Sequence, residues 1–320
     1  MRTLNRFFAH WQNGLGLLLV AIMLALAAFA PLLSPEDPEN PGPFQRVTTF
    51  RITDREPKTP EQAPPLGTLP GNISVYHALV WGSRDALQFG IQVTFFTALI
   101  GIIYGAVSAY LGGWLNGLMT RISDAFLSFP VIAGIVLIQQ LWLTVITNAG
   151  GVYYRGEWLT EPDESARVVL WLLDTIDPLL LTLILFSWMP YARLINTLVT
   201  ILKNTEFVQA ARALGASPAR IIFRHLIPNS IAPALVLAAR DIGGMVILQA
   251  TFTFIGLSGG STWGQMLVIG RDWVIGPGGG ILRYWWAFLP ATLALMLFGI
   301  GWNLLGDGLA ELFDPYNRQS

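Results

Sequence analysis

The sequence of 320 residues contains no cysteine, only two lysines and three histidines. The absence of cysteine excludes disulfides, thiolate chemistry and cysteine metal sites. Neither lysine fits the nucleotide loop G-x-x-x-x-G-K-[ST], because Lys58 follows Pro57 and Lys203 follows Leu202. The histidines form no H-E-x-x-H metal motif. We therefore expect no cofactor and no metal, and any ATP hydrolysis that drives this protein must occur on another chain.

Charge is also scarce. Charged residues make up 12% of the chain and hydrophobic residues 53%, and the mean hydropathy is +0.53. Soluble domains carry about 25% charged residues, so this composition indicates an integral membrane protein with lipid as a partner. The formal net charge of −1 gives no basis for nucleic-acid binding.

Six apolar runs are long enough to cross a membrane as helices, since about 20 residues cover ~30 Å. They are residues 14–33, 87–111, 122–147, 175–201, 230–257 and 285–305. Ala28-Phe29-Ala30 resembles a signal-peptidase site. However, the first run exceeds the 7–15 or so residues usual for a signal peptide, which favours an uncleaved helix. The predicted fold class is an all-α membrane protein with six transmembrane helices.

Polar or glycine-rich segments separate the spans. Residues 34–86 contain nine prolines, which predicts extended, irregular structure. Residues 148–174 are acidic, and residues 258–283 form a glycine-rich loop with Trp263 and Trp273. Small-residue pairs, Gly101 with Gly105 and Gly113 with Gly117, predict close helix contacts.

Six spans place both termini on one side of the membrane. That side carries Arg2, Arg6, Arg121, Lys203, Arg212, Arg220, Arg224 and Arg318. The opposite side has as many basic residues, but four of them lie in the middle of the long loop 34–86, where they influence orientation less. We therefore predict that both termini and residues 206–229 are cytoplasmic.

Residues 206–229 form the most polar segment between the fourth span and the end of the sixth, and they read as two short helices. Asn204 or Thr205 can cap the first helix, whose apolar face is predicted to contain Phe207, Ala210, Ala211 and Leu214. Gly215 supplies the left-handed residue that ends it. Ser217-Pro218 opens the second helix, and Pro228 is predicted to stop it.

A basic, amphipathic helix pair between two spans has two interpretations. It is either an interfacial helix that binds anionic lipid or a docking element for a cytoplasmic partner. The sequence Gln209-Ala210-Ala211, followed by Gly215 and Ile227-Pro228, resembles the EAA loop of ABC-importer permeases. In that loop a coupling helix sits in a groove of the ATPase subunit. Gln209 stands where the family usually has Glu.

The resemblance extends over residues 66–315. It includes Gly82-Ser83-Arg84, the run from Tyr110 to Trp114, Tyr191-Ala192-Arg193, Trp263-Gly264 and Asp314-Pro315. The order and number of these motifs resemble the second permease of the dipeptide/oligopeptide/nickel importer family. The resemblance implies a MetI-like core of five helices with an extra N-terminal helix, in a bacterial or archaeal plasma membrane.

The resemblance implies that the chain forms a translocation path for short peptides. It also implies a transporter subunit and not an enzyme. The expected partners are ABC ATPase subunits, a second, homologous permease and an extracytoplasmic solute-binding protein. The residues expected to couple to the ATPase are Glu206, Gln209, Ala210, Ala211, Leu214, Gly215, Arg220, Arg224 and Pro228.

The predicted division of the chain follows from the same resemblance. Residues 1–33 are a tail and the first helix, and residues 34–86 are a Pro-rich extracytoplasmic loop. Residues 87–307 are the permease core with the coupling loop 204–229, and residues 308–320 are a cytoplasmic tail. Two departures stand out: residues 67–73 lack the charged residues common in the family, and 148–174 is longer than usual. The longer segment is either a docking surface or a tolerated insertion.

Two other function classes compete with the importer. Residues 256–259, Gly-Leu-Ser-Gly, resemble the serine motif of rhomboid intramembrane proteases, but no histidine follows them to act as the base. An ion-coupled secondary transporter needs acidic groups in its spans and often an inverted repeat. The spans here contain few acids, and no repeat is evident.

Arg240 and Asp241 lie about ten residues into the fifth predicted span. Charges at that depth normally face a bundle interior or an aqueous path. As sequence neighbours on a helix they point about 100° apart, so they are not ideal partners for each other. They either pair with other helices or line the translocation path, and the second alternative is slightly favoured.

Overall fold

The computed structural model describes residues 7–8, 10–51, 55–148, 153–154, 157–158, 171, 177–257, 260–276 and 279–313. Its helices are α1 (Trp11–Leu33), α2 (Val75–Leu111), α3 (Gly113–Ser128), α4 (Val131–Asn148), α5 (Pro178–Ser187), α6 (Met189–Leu202), α7 (Glu206–Ala213), α8 (Pro218–Ile221), α9 (Ile227–Phe254), α10 (Thr262–Ile275) and α11 (Trp285–Phe313). Two short antiparallel pairs complete it, β1 (Thr68–Leu69) with β2 (Ile73–Ser74) and β3 (Tyr153–Tyr154) with β4 (Glu157–Trp158).

The six-span, all-α class is confirmed. Within the described ranges, five helical segments are long and apolar enough to cross a membrane, and the bent pair α3–α4 makes a sixth. The Pro-rich loop is largely irregular before its β1–β2 hairpin, as predicted. Most of the acidic segment 148–174, including Glu161, Asp163 and Glu164, lies outside the described residues.

The third span differs from the prediction of one straight helix over residues 122–147. Helix α3 ends at Ser128, and α4 begins at Val131 at an angle of 84° to it. Pro130 cannot donate a backbone hydrogen bond, and it disfavours helical geometry in the residue before it. Phe129 accordingly is extended, with φ −81° and ψ 128°.

Two further boundaries were wrong. Helix α2 begins at Val75, twelve residues before the predicted start at residue 87, because its polar residues have partners: Asp85 accepts a hydrogen bond from the backbone N–H of Thr262 (2.9 Å). The predicted loop 258–283 contains helix α10, which begins at Thr262 with Ser261 as its side-chain cap. Hydropathy marks apolar runs, and it misses helices stabilised by such tertiary contacts.

Contacts divide the chain into two units, Met1–Thr94 with Val236–Ser320, and Phe95–Leu235. The predicted division at residues 33, 86 and 307 stays a prediction. In the first unit, α1 packs along α11, where a Cβ at Gly16 would lie 2.6 Å from the Cβ of Leu304. The core of this unit is aromatic. Trp263 is buried, donates to the carbonyl of Leu79 (3.1 Å) and lies edge-on to Phe298.

The second unit is built on close contact between α2 and α6. A Cβ at Gly101 would lie 2.5 Å from the Cβ of Tyr191, and one at Gly105 would overlap the carbonyl of Ala192. The predicted close approach is therefore confirmed for this pair. It is wrong for Gly113 and Gly117, where an added Cβ meets no atom of the described chain within 4 Å.

Candidate functional site

The first helix of segment 206–229 begins where the sequence predicts. Thr205 is the N-cap residue and Glu206 the first residue of α7. The predicted side-chain cap is absent, however: the Thr205 hydroxyl donates to the carbonyl of Leu202 (2.6 Å). The Gln209 amide donates to the carbonyl of Asn204 (3.0 Å), a bond that the family's usual Glu could not make while ionised.

The two other predicted boundary signals are confirmed. Gly215 has a φ of +79°, and the N–H of Ala216 donates to the carbonyl of Ala211 (3.0 Å), which is the Schellman ending of a helix. Ser217 then accepts from the N–H of Arg220 and caps α8, with Pro218 in its first turn.

Pro228 does not end the second helix, contrary to the prediction. Helix α8 passes through a π turn (Ile222–Leu226) directly into α9, and the helical stretch Pro218–Phe254 is continuous. A proline inside an α-helix lacks an N–H and collides with the carbonyl four residues earlier. The wider π turn relieves both problems just before Pro228. The segment is therefore continuous with the span that follows it.

The buried face of the segment is not the predicted one. Val208 and Ala211 of α7 are buried, followed by Ile221, Ile222 and Leu226. Of the predicted apolar face only Ala211 points inward, whereas Phe207, Ala210 and Leu214 are exposed. Helix α7 has two apolar stripes, one with Phe207 and Leu214 and one with Val208 and Ala211. Helical spacing alone could not decide which of them is buried.

The exposed stripe and its neighbours define what we call the docking face: Phe207, Leu214, Arg220, Phe223 and Arg224. Leu214 is 88% exposed and Phe223 56% exposed. Both arginines are exposed as well. Large exposed apolar side chains beside cationic ones are typical of protein interaction surfaces.

The remaining predicted coupling residues surround this face. Glu206, Gln209, Gly215 and Pro228 are exposed, and Ala211 lies on the opposite, buried side. The predicted residues lie on one short segment, with Ala211 as part of its packing, and their coupling role stays a prediction.

Two contacts that sequence analysis missed attach α7 and the end of α6 just before it to α2. The Lys203 ammonium donates to the carbonyl of Ala109 (2.7 Å) in the last turn of α2, where a cation offsets the negative end of the helix dipole. The Arg212 guanidinium lies 5.3 Å from the ring centre of Tyr110, a cation–π distance. The sequence offered one hint of the role of Lys203, since it is one of only two lysines in the chain.

Arg240 has a partner on another helix. Its guanidinium forms an ion pair with Asp307 of α11, within the first unit. Both side chains are about half exposed in the single chain. The pair corresponds to the structural alternative for Arg240, but whether Arg240 and Asp241 line the path stays a prediction.

Comparison with known proteins fits this architecture. Residues 98–319 match the family model described as binding-protein-dependent transport system inner membrane component. The chain belongs to this family. Since the match covers more than half of the chain and all of segment 206–229, the protein is a transport permease subunit.

Several curated relatives align over nearly the whole chain. The dipeptide transport system permease protein DppC of Alkalihalophilus pseudofirmus is 26% identical, over 94% of this chain and 84% of that protein. The probable D,D-dipeptide transport system permease protein DdpC of Escherichia coli is 27% identical, over 93% and 85%. The oligopeptide transport system permease protein OppC of Bacillus subtilis is 24% identical, over 98% and 88%. The chain thus falls in the peptide-importer permease family predicted from its motifs.

The competing enzyme reading finds no support. Ser258 and Gly259 of the rhomboid-like motif lie outside the described residues. Gly256 has a φ of +82°, and the N–H of Leu257 donates to the carbonyl of Phe252 (2.9 Å), the same helix ending as at Gly215. This glycine therefore makes the turn that leaves α9.

Proposed function

We propose that this permease subunit forms part of the path of an ATP-driven importer for short peptides, and that the docking face couples it to a separate ATPase subunit. Peptide cargo is inferred from relatives whose names concern dipeptides, D,D-dipeptides and oligopeptides. Its other partners are a second, homologous permease and an extracytoplasmic solute-binding protein, in a plasma membrane with both termini cytoplasmic.

One observation carries the coupling role: the exposed apolar side chains of the docking face lie on an element fixed to the membrane helices. A partner that covers the exposed Phe207, Leu214 and Phe223 would remove apolar surface from solvent, which favours binding. Val208 and Leu226 of the same segment are buried, and just before it Lys203 donates to the carbonyl of Ala109 on α2. A partner that moves this face moves the ends of two spans.

The π turn gives that motion a direct route. Because α8 continues through Ile222–Leu226 into α9, a displacement of the docking face acts on a spanning helix without an intervening loop. The interfacial-lipid alternative offers no role for this continuity, since a lipid-bound helix needs no stiff connection to a span.

The Gly215→Val variant is expected to uncouple ATP hydrolysis from uptake. A Cβ there meets no described atom within 4 Å, so the penalty is conformational: a left-handed residue costs about 1–2 kcal/mol, and a β-branched residue more. The turn between α7 and α8 should change, and the docking face with it. The measurement is cargo-stimulated ATPase activity and uptake in reconstituted complexes.

Two variants control that experiment. Gly117→Val places the same side chain in open space of an ordinary helical turn, and should leave coupling unchanged. Gly215→Asn should retain most coupling, because asparagine tolerates the left-handed conformation. Normal coupling in Gly215→Val would contradict the assignment of this segment.

Cysteine labelling tests the orientation. The chain has no native cysteine, so one introduced at the exposed Glu61 or Arg220 gives a single site. We expect Glu61→Cys to react with a membrane-impermeant thiol reagent in intact cells or spheroplasts, and Arg220→Cys to react only after permeabilisation. The opposite pattern would place the docking face outside the cell and rule out ATPase coupling through it.

A further inference from the structure

A polar cavity of about 230 Å³ lies within the second unit, between α2, α3 and α6. Its polar lining side chains include Tyr104, Ser108, Ser123, Asp124, Arg193 and Asn196. About eight water molecules occupy that volume in liquid water. None of these residues belongs to segment 206–229, so the cavity needs its own explanation.

One wall of the cavity is a fixed hydrogen-bond network. The Ser108 hydroxyl donates to the Asn116 side-chain carbonyl (2.7 Å), and the Asn196 amide donates to the same oxygen (2.7 Å). Side-chain amides and hydroxyls on three membrane helices cost energy unless they are paired or face a polar space. Here they are paired with each other at the edge of a cavity.

The other wall carries an ion pair at membrane depth. The Arg193 guanidinium lies 2.9 Å from the Asp124 carboxylate, and these side chains are 64% and 45% exposed. Arg193 precedes Leu202, the end of α6, by nine residues, or roughly 14 Å of helix. That is near the middle of a ~30 Å hydrocarbon layer. Charges at this depth normally face a bundle interior or an aqueous path, and the exposed side of this pair opens into the polar cavity.

An apolar groove of about 470 Å³ adjoins the cavity and shares Arg193 and Thr197 with it. The rest of the groove is apolar: Leu127, Pro190, Leu194 and Leu198. The ion pair thus stands where a polar space meets an apolar one. A molecule that fills both must combine charged or amide groups with apolar side chains.

We propose that this cavity and groove form a cargo-binding station for zwitterionic short peptides in the translocation path. The proposal rests on the function proposed above and names the residues that handle the cargo. Arg193 binds the peptide carboxylate, since guanidinium and carboxylate match in a two-bond geometry. Asp124 binds the ammonium group, Asn196 faces the peptide amide, and the groove takes the side chains.

The ion pair is suited to this exchange because charge stays balanced. In the empty state Arg193 and Asp124 neutralise each other. When the zwitterion enters, each exchanges its partner for one terminus of the peptide, and no charge is left unpaired in the membrane. A cargo with only one charged terminus leaves one member of the pair without a partner, which predicts selection for doubly charged peptides.

The first test measures access and occupancy. Thr197 is exposed and lines both spaces, so Thr197→Cys in the assembled complex should react with a charged thiol reagent. Transport-competent conditions with saturating di-alanine should slow this reaction several-fold. Leu185→Cys, on the apolar face of α5, is the control and should react in neither case. Absence of reaction or of protection at Thr197→Cys would overturn the proposal.

The second test uses blocked peptides. Uptake of di-alanine, its C-terminal amide and its N-acetyl form is measured, and each rate is divided by the wild-type rate for the same peptide, which removes the selectivity of the binding protein. Arg193→Gln should slow di-alanine roughly ten- to hundredfold and the amide far less. Asp124→Asn should slow di-alanine similarly and the N-acetyl form far less.

The exchanged variant Asp124→Arg with Arg193→Asp separates this role from a purely structural one. A structural pair predicts that each single variant lowers complex assembly and that the exchange restores both assembly and the wild-type uptake profile. That result would overturn the proposal. Normal assembly with an altered profile supports it. If the wild-type complex imported no peptide at all, the proposed peptide-import function would be wrong. That result differs from every outcome that contradicts the cavity proposal alone.

Discussion

The Gly105→Leu variant is expected to lose most of the assembled permease. Any Cβ at this position overlaps the carbonyl of Ala192, and its distance to the Ala192 Cα would be 3.0 Å. Backbone cannot yield as a flexible side chain does, so α2 and α6 must separate. Overpacking of this kind costs about 1–3 kcal/mol, and more where helices move apart. The measurement is the thermal unfolding midpoint and the yield of detergent-purified complex.

Gly117→Leu is the matched control for this variant. It adds the same side chain to a membrane-helix glycine that has no described atom within 4 Å of its Cβ position. It should not destabilise the permease, because replacing an exposed helical glycine removes a backbone penalty of about 0.5–1 kcal/mol. Gly105→Ala should fall between the two. Equal unfolding midpoints for the two leucine variants would show that the α2–α6 contact does not support the fold.

The Leu214→Asp variant is expected to abolish tight binding of the ATPase subunit while the permease itself stays folded. Leu214 is 88% exposed, so its replacement removes little packing within the chain. The bound ATPase would bury Leu214 at the centre of the docking face. A carboxylate in its place should therefore weaken binding by at least about 2 kcal/mol, or roughly 30-fold in affinity. Co-purification with the ATPase and the affinity in detergent measure this.

Leu282→Asp provides the control, because Leu282 is also 88% exposed but lies in the loop between α10 and α11. It should leave ATPase affinity unchanged. If Leu214→Asp also left that affinity unchanged but weakened binding of the segment to anionic vesicles, the interfacial-lipid interpretation would replace the docking one.

The sequence alone determined two boundaries inside segment 206–229, the end of α7 and the start of α8. Gly215 and Ser217-Pro218 behave as predicted because left-handed backbone and side-chain caps depend on residues only a few positions apart. It likewise determined the six spans, since about 20 apolar residues in lipid must satisfy their backbone groups within a helix.

Local signals failed where a boundary depended on a distant partner or on a change of helical pitch. Pro228 carries a strong local stop signal, yet the π turn before it removes the collision and keeps the helix intact. Helix α2 extends back to Val75 because Asp85 finds a backbone partner in residue 262. The contact between residues 85 and 262 is invisible within a window of neighbouring residues, and the π turn carries no composition signal that marks it.

Only the tertiary structure decided which side chains form sites. It paired Arg240 with Asp307, residues far apart in the sequence, and it turned Val208 inward and Leu214 outward on one short helix. It also brought Asp124 and Arg193 together across 69 positions. Periodicity assigns residues to helix faces, but the partner of each face depends on how helices pack. That packing depends on close backbone contacts such as Gly105 against Ala192. The sequence shows the glycine but not the residue that it contacts.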